Sequence, residues 1–209
     1  MGASSDSPHA PPWSTAVADA LAAERVAVIQ HAFDADVVAA LRANAMQCDR
    51  AGAMHAAGIG RGDARTVAQA VRGDRIAWLD EATANDAERS YFSRMQALAH
   101  ALNRDLMLGI ASLEAHYAVY PAGAAYARHR DRFRDDDARV LSCILYLNDE
   151  WRREDGGALR VHVEGAPVLD IPPAGGTLVL FAAERFEHEV MPASRIRVAI
   201  TGWFRRRAA

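Results

Sequence analysis

Val140-Leu-Ser-Cys-Ile-Leu-Tyr-Leu147, Thr177-Leu-Val-Leu-Phe-Ala182 and Ile196-Arg-Val-Ala-Ile-Thr-Gly-Trp-Phe204 are short runs dominated by β-branched, aromatic and other apolar residues. Runs of this length and composition form strands when turn residues bound them. The turn residues are present as Pro121-Ala-Gly123, Gly156-Gly157, Pro172-Pro173 and Gly175-Gly176. Further runs of the same kind lie at Ala115 to Tyr120, Ala158 to Val163 and Val168 to Ile171. Many short strands joined by tight turns predict a sandwich or jelly roll.

Outward from this block, toward the N-terminus, the hydrophobic period changes. Ser14 is placed to cap a helix running to about Arg25, with Val17, Ala20, Leu21 and Ala22 on one side. A strand over Val26 to Gln30 follows. Asp34 is then placed to cap a second helix carrying Val37, Val38, Leu41 and Met46. Arg75 to Leu79 reads as a strand, and Asp86 to Arg104 as an amphipathic helix with Tyr91, Met95, Leu98 and Leu102 along one side. The fold class is therefore α+β: a jelly-roll core with supporting N-terminal helices.

A chain of 209 residues fits one domain of the usual size, about 100 to 200 residues, better than two. We expect a disordered tail over residues 1–13 and a single domain over 14–209. The tail has neither a basic nor an apolar region, so it does not read as a secretory signal. The stretch from Ala51 to Asp74 is glycine-rich and without period; a mobile functional loop and a disordered insertion both fit it. No apolar run reaches the length of a membrane span. A net charge of −3 argues against a nucleic-acid footprint, and Arg205, Arg206 and Arg207 read as a solvated cluster. Cys48 and Cys143 stand alone, which excludes a disulfide framework and a Cys-type zinc site and fits a reducing cytoplasm.

Three features carry chemistry. His129 and Asp131 are two apart, so on an extended segment both side chains point to one face and can grip one ion. With eight histidines in the chain, such a tripeptide also arises by chance, and a surface histidine among Arg128, Arg130 and Arg132 is the plainer reading. His188 follows a buried-looking strand. Two His and one carboxylate leave coordination positions open, which suits Fe(II) oxygen chemistry better than a closed zinc site. Arg197 then begins an otherwise apolar strand that holds no acidic residue. A guanidinium facing the interior there needs an anion, and its planar fork matches a carboxylate. Thr201, four residues on, shares its face.

The sequence resembles the Fe(II)/2-oxoglutarate-dependent oxygenases, and within them the prolyl 4-hydroxylases of the hypoxia-sensing type and their bacterial relatives. The resemblance runs through Arg72-Gly-Asp74-Arg-Ile-Ala-Trp78, Tyr120-Pro121, Tyr126-Ala-Arg128-His129-Arg-Asp131 and Cys143-Ile-Leu-Tyr146-Leu-Asn148. It continues in Gly156-Gly157-Ala-Leu-Arg160 and His188-Glu-Val-Met-Pro192, with Arg197 beyond. It implies a double-stranded β-helix in which His129, Asp131 and His188 hold Fe(II). It further implies that Arg197 pairs with the distal carboxylate of 2-oxoglutarate, that Tyr146 and Thr201 donate hydrogen bonds to the same group, that Tyr120 lines the pocket and that Trp203 lies behind it. Asp74 and Arg139 match a structural ion pair, and Arg72 with the preceding loop matches a substrate-covering finger. Two departures concern the mouth of the site: the Tyr120 to His129 segment is one residue shorter than in the animal enzymes, and Arg130 stands where a smaller residue is common.

The implied reaction consumes 2-oxoglutarate and O2, releases succinate and CO2, and hydroxylates a prolyl residue of a protein. Elongation factor Tu is the candidate substrate and ascorbate the reductant, an L-ascorbic acid binding property the family carries. Imidazoles must be neutral to bind iron, so activity should fall at acid pH. Two other readings fit parts of the sequence: a same-core oxygenase acting on a free amino acid or small molecule, and a noncatalytic 2-oxoglutarate and metal sensor. A cupin-like isomerase or zinc hydrolase leaves Arg197, Tyr146 and Thr201 without a role. His162 and Cys143 read as structural, and Asp135-Asp136-Asp137 as a solvated loop.

Overall fold

The computed structural model describes residues 9–58, 71–131 and 138–207. Helices α1 (Ser14–Ala22), α2 (Ala35–Arg50) and α3 (Asp86–Leu106) pack on one face of a large sheet. The longest, α3, starts where the sequence supplies both halves of a capping box. The Asn85 side chain accepts from the Glu88 backbone N–H at 3.1 Å, and Glu88 accepts from that of Asn85 at 3.0 Å. Its apolar stripe, including Tyr91, Met95, Leu98 and Leu102, is buried as the spacing requires.

The other two helix starts differ from expectation. Trp13 is the N-cap of α1, and Ser14 is buried as the first helical residue without a capping bond. Asp34 does occupy the N-cap of α2, but its side chain caps nothing; its carboxylate instead meets Arg94 of α3 at 3.4 Å. The tail expected over residues 1–13 ends earlier than that, because Pro11 is buried and Trp13 packs on the core. Its first eight residues lie outside the described residues. So do residues 59–70 of the stretch from Ala51 to Asp74, the Asp135-Asp136-Asp137 run and Arg132.

The strands are β1 (Ala27–Ile29), β2 (His55–Ala56), β3 (Arg75–Trp78), β4 (Ile110–Tyr120), β5 (Tyr126–His129), β6 (Arg139–Tyr146), β7 (Leu159–His162), β8 (Leu169–Ile171), β9 (Leu178–Ala182), β10 (Glu187–Val190) and β11 (Arg197–Arg206). They form two antiparallel sheets, ordered β1-β9-β6-β11-β4-β3-β2 and β5-β10-β7-β8. The large sheet carries apolar residues on both faces, so it separates two cores. Val198, Ile200 and Phe204 of β11 join the core under the helices, while Ala199 joins the core between the sheets. Alternation therefore puts Arg197, Ala199, Thr201 and Trp203 on the inner face. Register extends that face to Tyr120, Ala118 and His116 on β4 and to Tyr146, Ile144 and Ser142 on β6. This is the double-stranded β-helix expected from the resemblance.

Two strands near the site were not legible. The sequence has His188 in a stretch after a strand, whereas it lies inside β10, paired with β5 on one side and β7 on the other. The extended segment expected to carry both His129 and Asp131 stops at His129. Asp131 reaches the same place from the bend that follows.

Candidate active site

His129 and His188 are cross-strand partners on β5 and β10, and Asp131 turns back between them. One Asp131 carboxylate oxygen is 3.5 Å from His129 Nε2 and the other is 3.5 Å from His188 Nε2. One ligand atom from each of the three residues lies within 4.8 Å of the others. His129 Nδ1 is 2.8 Å from the carbonyl of Ala127, and His188 Nδ1 is 3.3 Å from that of Phe186. A carbonyl only accepts, so both Nδ1 atoms carry the proton and both Nε2 lone pairs face the shared point.

Burial pushes the His188 imidazole below its ordinary pKa against the pull of Asp131, which keeps it neutral and able to ligate. For Asp131, burial alone raises the pKa. The two histidines and a 2.7 Å hydrogen bond from Ser142 Oγ outweigh that and hold the carboxyl far below the usual carboxylate range. The carboxylate is thus ionised and aimed before any cation arrives. One carboxylate and two imidazoles with Nε2 turned to a shared point, with no fourth His, Cys, Asp or Glu in the group among the described residues, form an open donor set for a divalent metal such as Fe(II).

The inner face of the large sheet also carries a group suited to an anion. Arg197 is buried, and its Nε donates to the carbonyl of Gly157 at 2.9 Å. No carboxylate lies within ion-pair distance of it among the described residues. Its guanidinium carbon sits 5.0 Å from the ring centre of Tyr146 and 5.2 Å from that of Tyr120. The Tyr146 hydroxyl is buried without a hydrogen-bond partner. Burial raises the pKa of both phenols, so each stays a neutral donor. Between these groups and Thr201, Ala199 pairs with Ala118 across the strands, so only two methyl groups project from this part of the inner face. Gly157 has φ +70°, and a Cβ there meets Ala193 at 2.9 Å. The glycine lets its carbonyl come close to Arg197. A buried cation and an unpaired phenol, on the inner face whose Ser142 binds Asp131, fit a small dicarboxylate with one end at Arg197 and the other toward the triad.

Comparison with known proteins agrees with this geometry. Residues 115–205 match the family described as the 2OG-Fe(II) oxygenase superfamily. The crystal structure of a Pseudomonas putida prolyl-4-hydroxylase superposes with a TM-score of 0.85 at 41% identity, covering 93% of this chain and 100% of that one. The chain belongs to the 2OG-Fe(II) oxygenase superfamily. Within it the likeness is to enzymes of the prolyl 4-hydroxylase type. A Trichoplax adhaerens prolyl hydroxylase, solved with a hypoxia inducible factor oxygen degradation domain peptide fragment, gives a TM-score of 0.82 at 26% identity over 92% of this chain and 88% of that one. Egl nine homolog 1 from Homo sapiens is 36% identical over 143 residues, 64% of this chain and 33% of that protein. The oxygenase thus spans about a third of that curated relative.

Other residues singled out in the oxygenase sequence fall as follows. Trp203 is buried on the inner face, with the Arg139 guanidinium 3.6 Å from its ring centre and its own indole N–H without a partner. Thr201 is half-buried opposite His116. The Asp74–Arg139 pairing implied by the resemblance is replaced by another partition. Arg72 forks onto Asp74 at 2.7 and 3.0 Å, and Arg139 binds Glu114 at 2.8 Å. Arg72, expected on the substrate-covering finger, therefore has its fork taken up by Asp74, and its side chain is only 12% exposed. His162 meets Glu189 at 3.0 Å, away from the triad.

Two contributors escaped the sequence reading. Ser142 could have been found, since it is four residues before Tyr146 on one strand and so shares its face. Tyr126 gave no such signal, because its ring stacks on His129 with 3.6 Å between centres, a contact a sequence does not display.

Proposed function

We propose that the protein hydroxylates a prolyl residue of a protein substrate, with conversion of 2-oxoglutarate and O2 to succinate and CO2. The observation that carries this reading is the buried Arg197, without an acidic partner among the described residues and beside the orphaned Tyr146 hydroxyl, on the inner face whose Ser142 binds Asp131 of the His129, Asp131, His188 triad. The triad holds Fe(II), which supplies dioxygen activation when bound. Arg197 pairs with the distal carboxylate, Tyr146 donates to it, Thr201 adds a hydroxyl further along the inner face, and Tyr120 and Trp203 wall the pocket. Apolar side chains of the inner core exclude water around the cosubstrate. Ser142 and the two backbone carbonyls fix the ligands so that only the substrate must be brought into place.

The substrate class rests on the likeness to a bacterial prolyl-4-hydroxylase and to a Trichoplax enzyme solved with a peptide. Elongation factor Tu is the protein we assign, with Arg72 contacting the peptide. Ascorbate serves as the reductant, and the cytoplasm is the compartment. The test measures succinate formation with Fe(II), ascorbate and air, comparing a prolyl peptide of elongation factor Tu, free proline and no addition. Peptide-stimulated turnover with a mass gain of one oxygen on the proline is expected. Stimulation by free proline and not by peptide would move the substrate to small molecules. Absence of turnover in iron-loaded protein would leave a sensor.

A further inference from the structure

The two histidine ligands are held unequally. His188 lies inside β10 with strands on both sides, and Phe181 walls its ring at 5.0 Å. His129 is the last residue of a short strand at the sheet edge, and 18% of its side chain is open to solvent. Its Nδ1 bond to Ala127 fixes one ring atom but leaves the ring free to tilt about that contact. The tilt is restrained by Tyr126, whose ring lies parallel to the imidazole, 3.6 Å between centres and 15° between planes. Tyr126 is itself clamped. The Arg72 guanidinium lies 4.8 Å from its ring centre, the two residues form a backbone bridge, and Arg72 is forked onto the buried Asp74.

We infer that Tyr126 is a positioning residue for the metal: stacked on His129 and clamped by Arg72, it sets the plane of the imidazole that Nε2 needs to ligate. An imidazole donates only along its in-plane lone pair, so a ring tilted at the sheet edge loses overlap with the ion. A ring frozen before binding spares the ordering cost. Ligation draws positive character onto the imidazole, and an aromatic face stabilises that more than an aliphatic side chain of equal bulk. The stack needs the ring and not the phenol hydroxyl. The same arrangement ties the ligand to Arg72, whose fork is set by Asp74, so the segment around residue 72 bears on the metal through Tyr126.

This inference rests on the reading of His129, Asp131 and His188 as a metal site. Its test titrates Co(II) into the anaerobic full-length protein and reads affinity and the visible ligand-field spectrum, with no turnover involved. Wild type, Tyr126→Phe, Tyr126→Leu, Tyr126→Ala and His129→Ala are compared, with melting of the metal-free forms as the folding control. Tyr126→Leu and Tyr126→Ala should raise the Co(II) dissociation constant about tenfold or more, the usual size for loss of an outer-sphere partner. They should also alter the spectrum, while Tyr126→Phe stays close to wild type. The leucine variant keeps apolar bulk, so the comparison stands even where the alanine variant folds poorly. Leucine and phenylalanine variants that both bind like wild type overturn the inference, as does a phenylalanine variant as weak as leucine. Equal Co(II) binding by wild type and His129→Ala instead overturns the metal-site reading underneath it.

Discussion

Arg197 has one backbone carbonyl for its five donors among the described contacts, and the ring faces around it cannot accept the rest. If its missing partner is the distal carboxylate of 2-oxoglutarate, Arg197→Leu should weaken anaerobic 2-oxoglutarate binding at least thirtyfold, since removing one side of a buried charged pair costs about 2–5 kcal/mol. Arg197→Lys keeps the charge without the fork and should fall between. Tyr146→Phe should lose about tenfold in the same titration, one hydrogen bond to a charged group. An unchanged affinity in Arg197→Leu would remove the anion site.

His116 makes a separate prediction at this scale. Burial, then the nearby Arg72 charge, lowers its pKa from 6.5 to about 4. On acidification the unfolded chain takes up this proton first, so its contribution to stability is intact above pH 6.5 and is lost as pH falls toward 4. Denaturant midpoints of wild type and His116→Met should converge or cross in that window, by a few kcal/mol of pH-dependent stability. Parallel pH profiles would show that His116 is not the buried neutral group described.

At the scale of elements, the strands of the large sheet other than the two-residue β2 were legible because they read as short, largely apolar runs, and those at its centre are buried against two apolar cores. Tyr126–His129 and Glu187–Val190 were not: they are four residues each, belong to the small sheet, and carry charged residues outward. Arg128 pairs with Glu187, and such residues read as loop. His129, Asp131 and His188 were nevertheless singled out by residue type, spacing and the family resemblance, and the fold brings their ligand atoms within 4.8 Å of one another. The start of α1 was misread by one residue, while that of α2 was placed correctly at Asp34 but without the expected capping bond. Ser14 and Asp34 are good capping residues, but Ser14 is buried inside the helix and Asp34 is drawn to Arg94.

The approach to Arg197 depends on one buried amide. Asn148 Oδ1 accepts from the Val198 backbone N–H at 2.8 Å, and Nδ2 donates to the Pro173 carbonyl at 2.8 Å. Asn148→Leu leaves both backbone groups buried and unpaired, and should lower unfolding stability by about 2–4 kcal/mol in urea titration. A cost under about 0.5 kcal/mol would mean that these strand ends find other partners.

For the whole molecule, the triad draws together β5, the bend after it and β10, so a bound metal should stabilise the fold against unfolding. Metal at a hundred times its dissociation constant adds about 2.7 kcal/mol. A chelator should then lower the melting temperature of the loaded protein by about 5 °C or more, and leave that of Asp131→Ala unchanged. The architecture was readable in the sequence at this scale, from strand runs, turns and N-terminal helical period. What was not readable is the partition of charges around the mouth, where Arg72, Asp74, Glu114 and Arg139 choose partners by three-dimensional proximity.

The most direct test of the whole reading uses isotopically labelled dioxygen. Iron-loaded protein, 2-oxoglutarate, ascorbate and a prolyl peptide of elongation factor Tu are incubated under the labelled gas, and peptide and succinate are analysed by mass spectrometry. The account predicts one labelled oxygen on the prolyl residue and one in succinate, in equal amounts, and neither with Asp131→Ala. Hydroxylated peptide whose oxygen comes from water, or an unmodified peptide with protein shown to hold iron and 2-oxoglutarate, would contradict it.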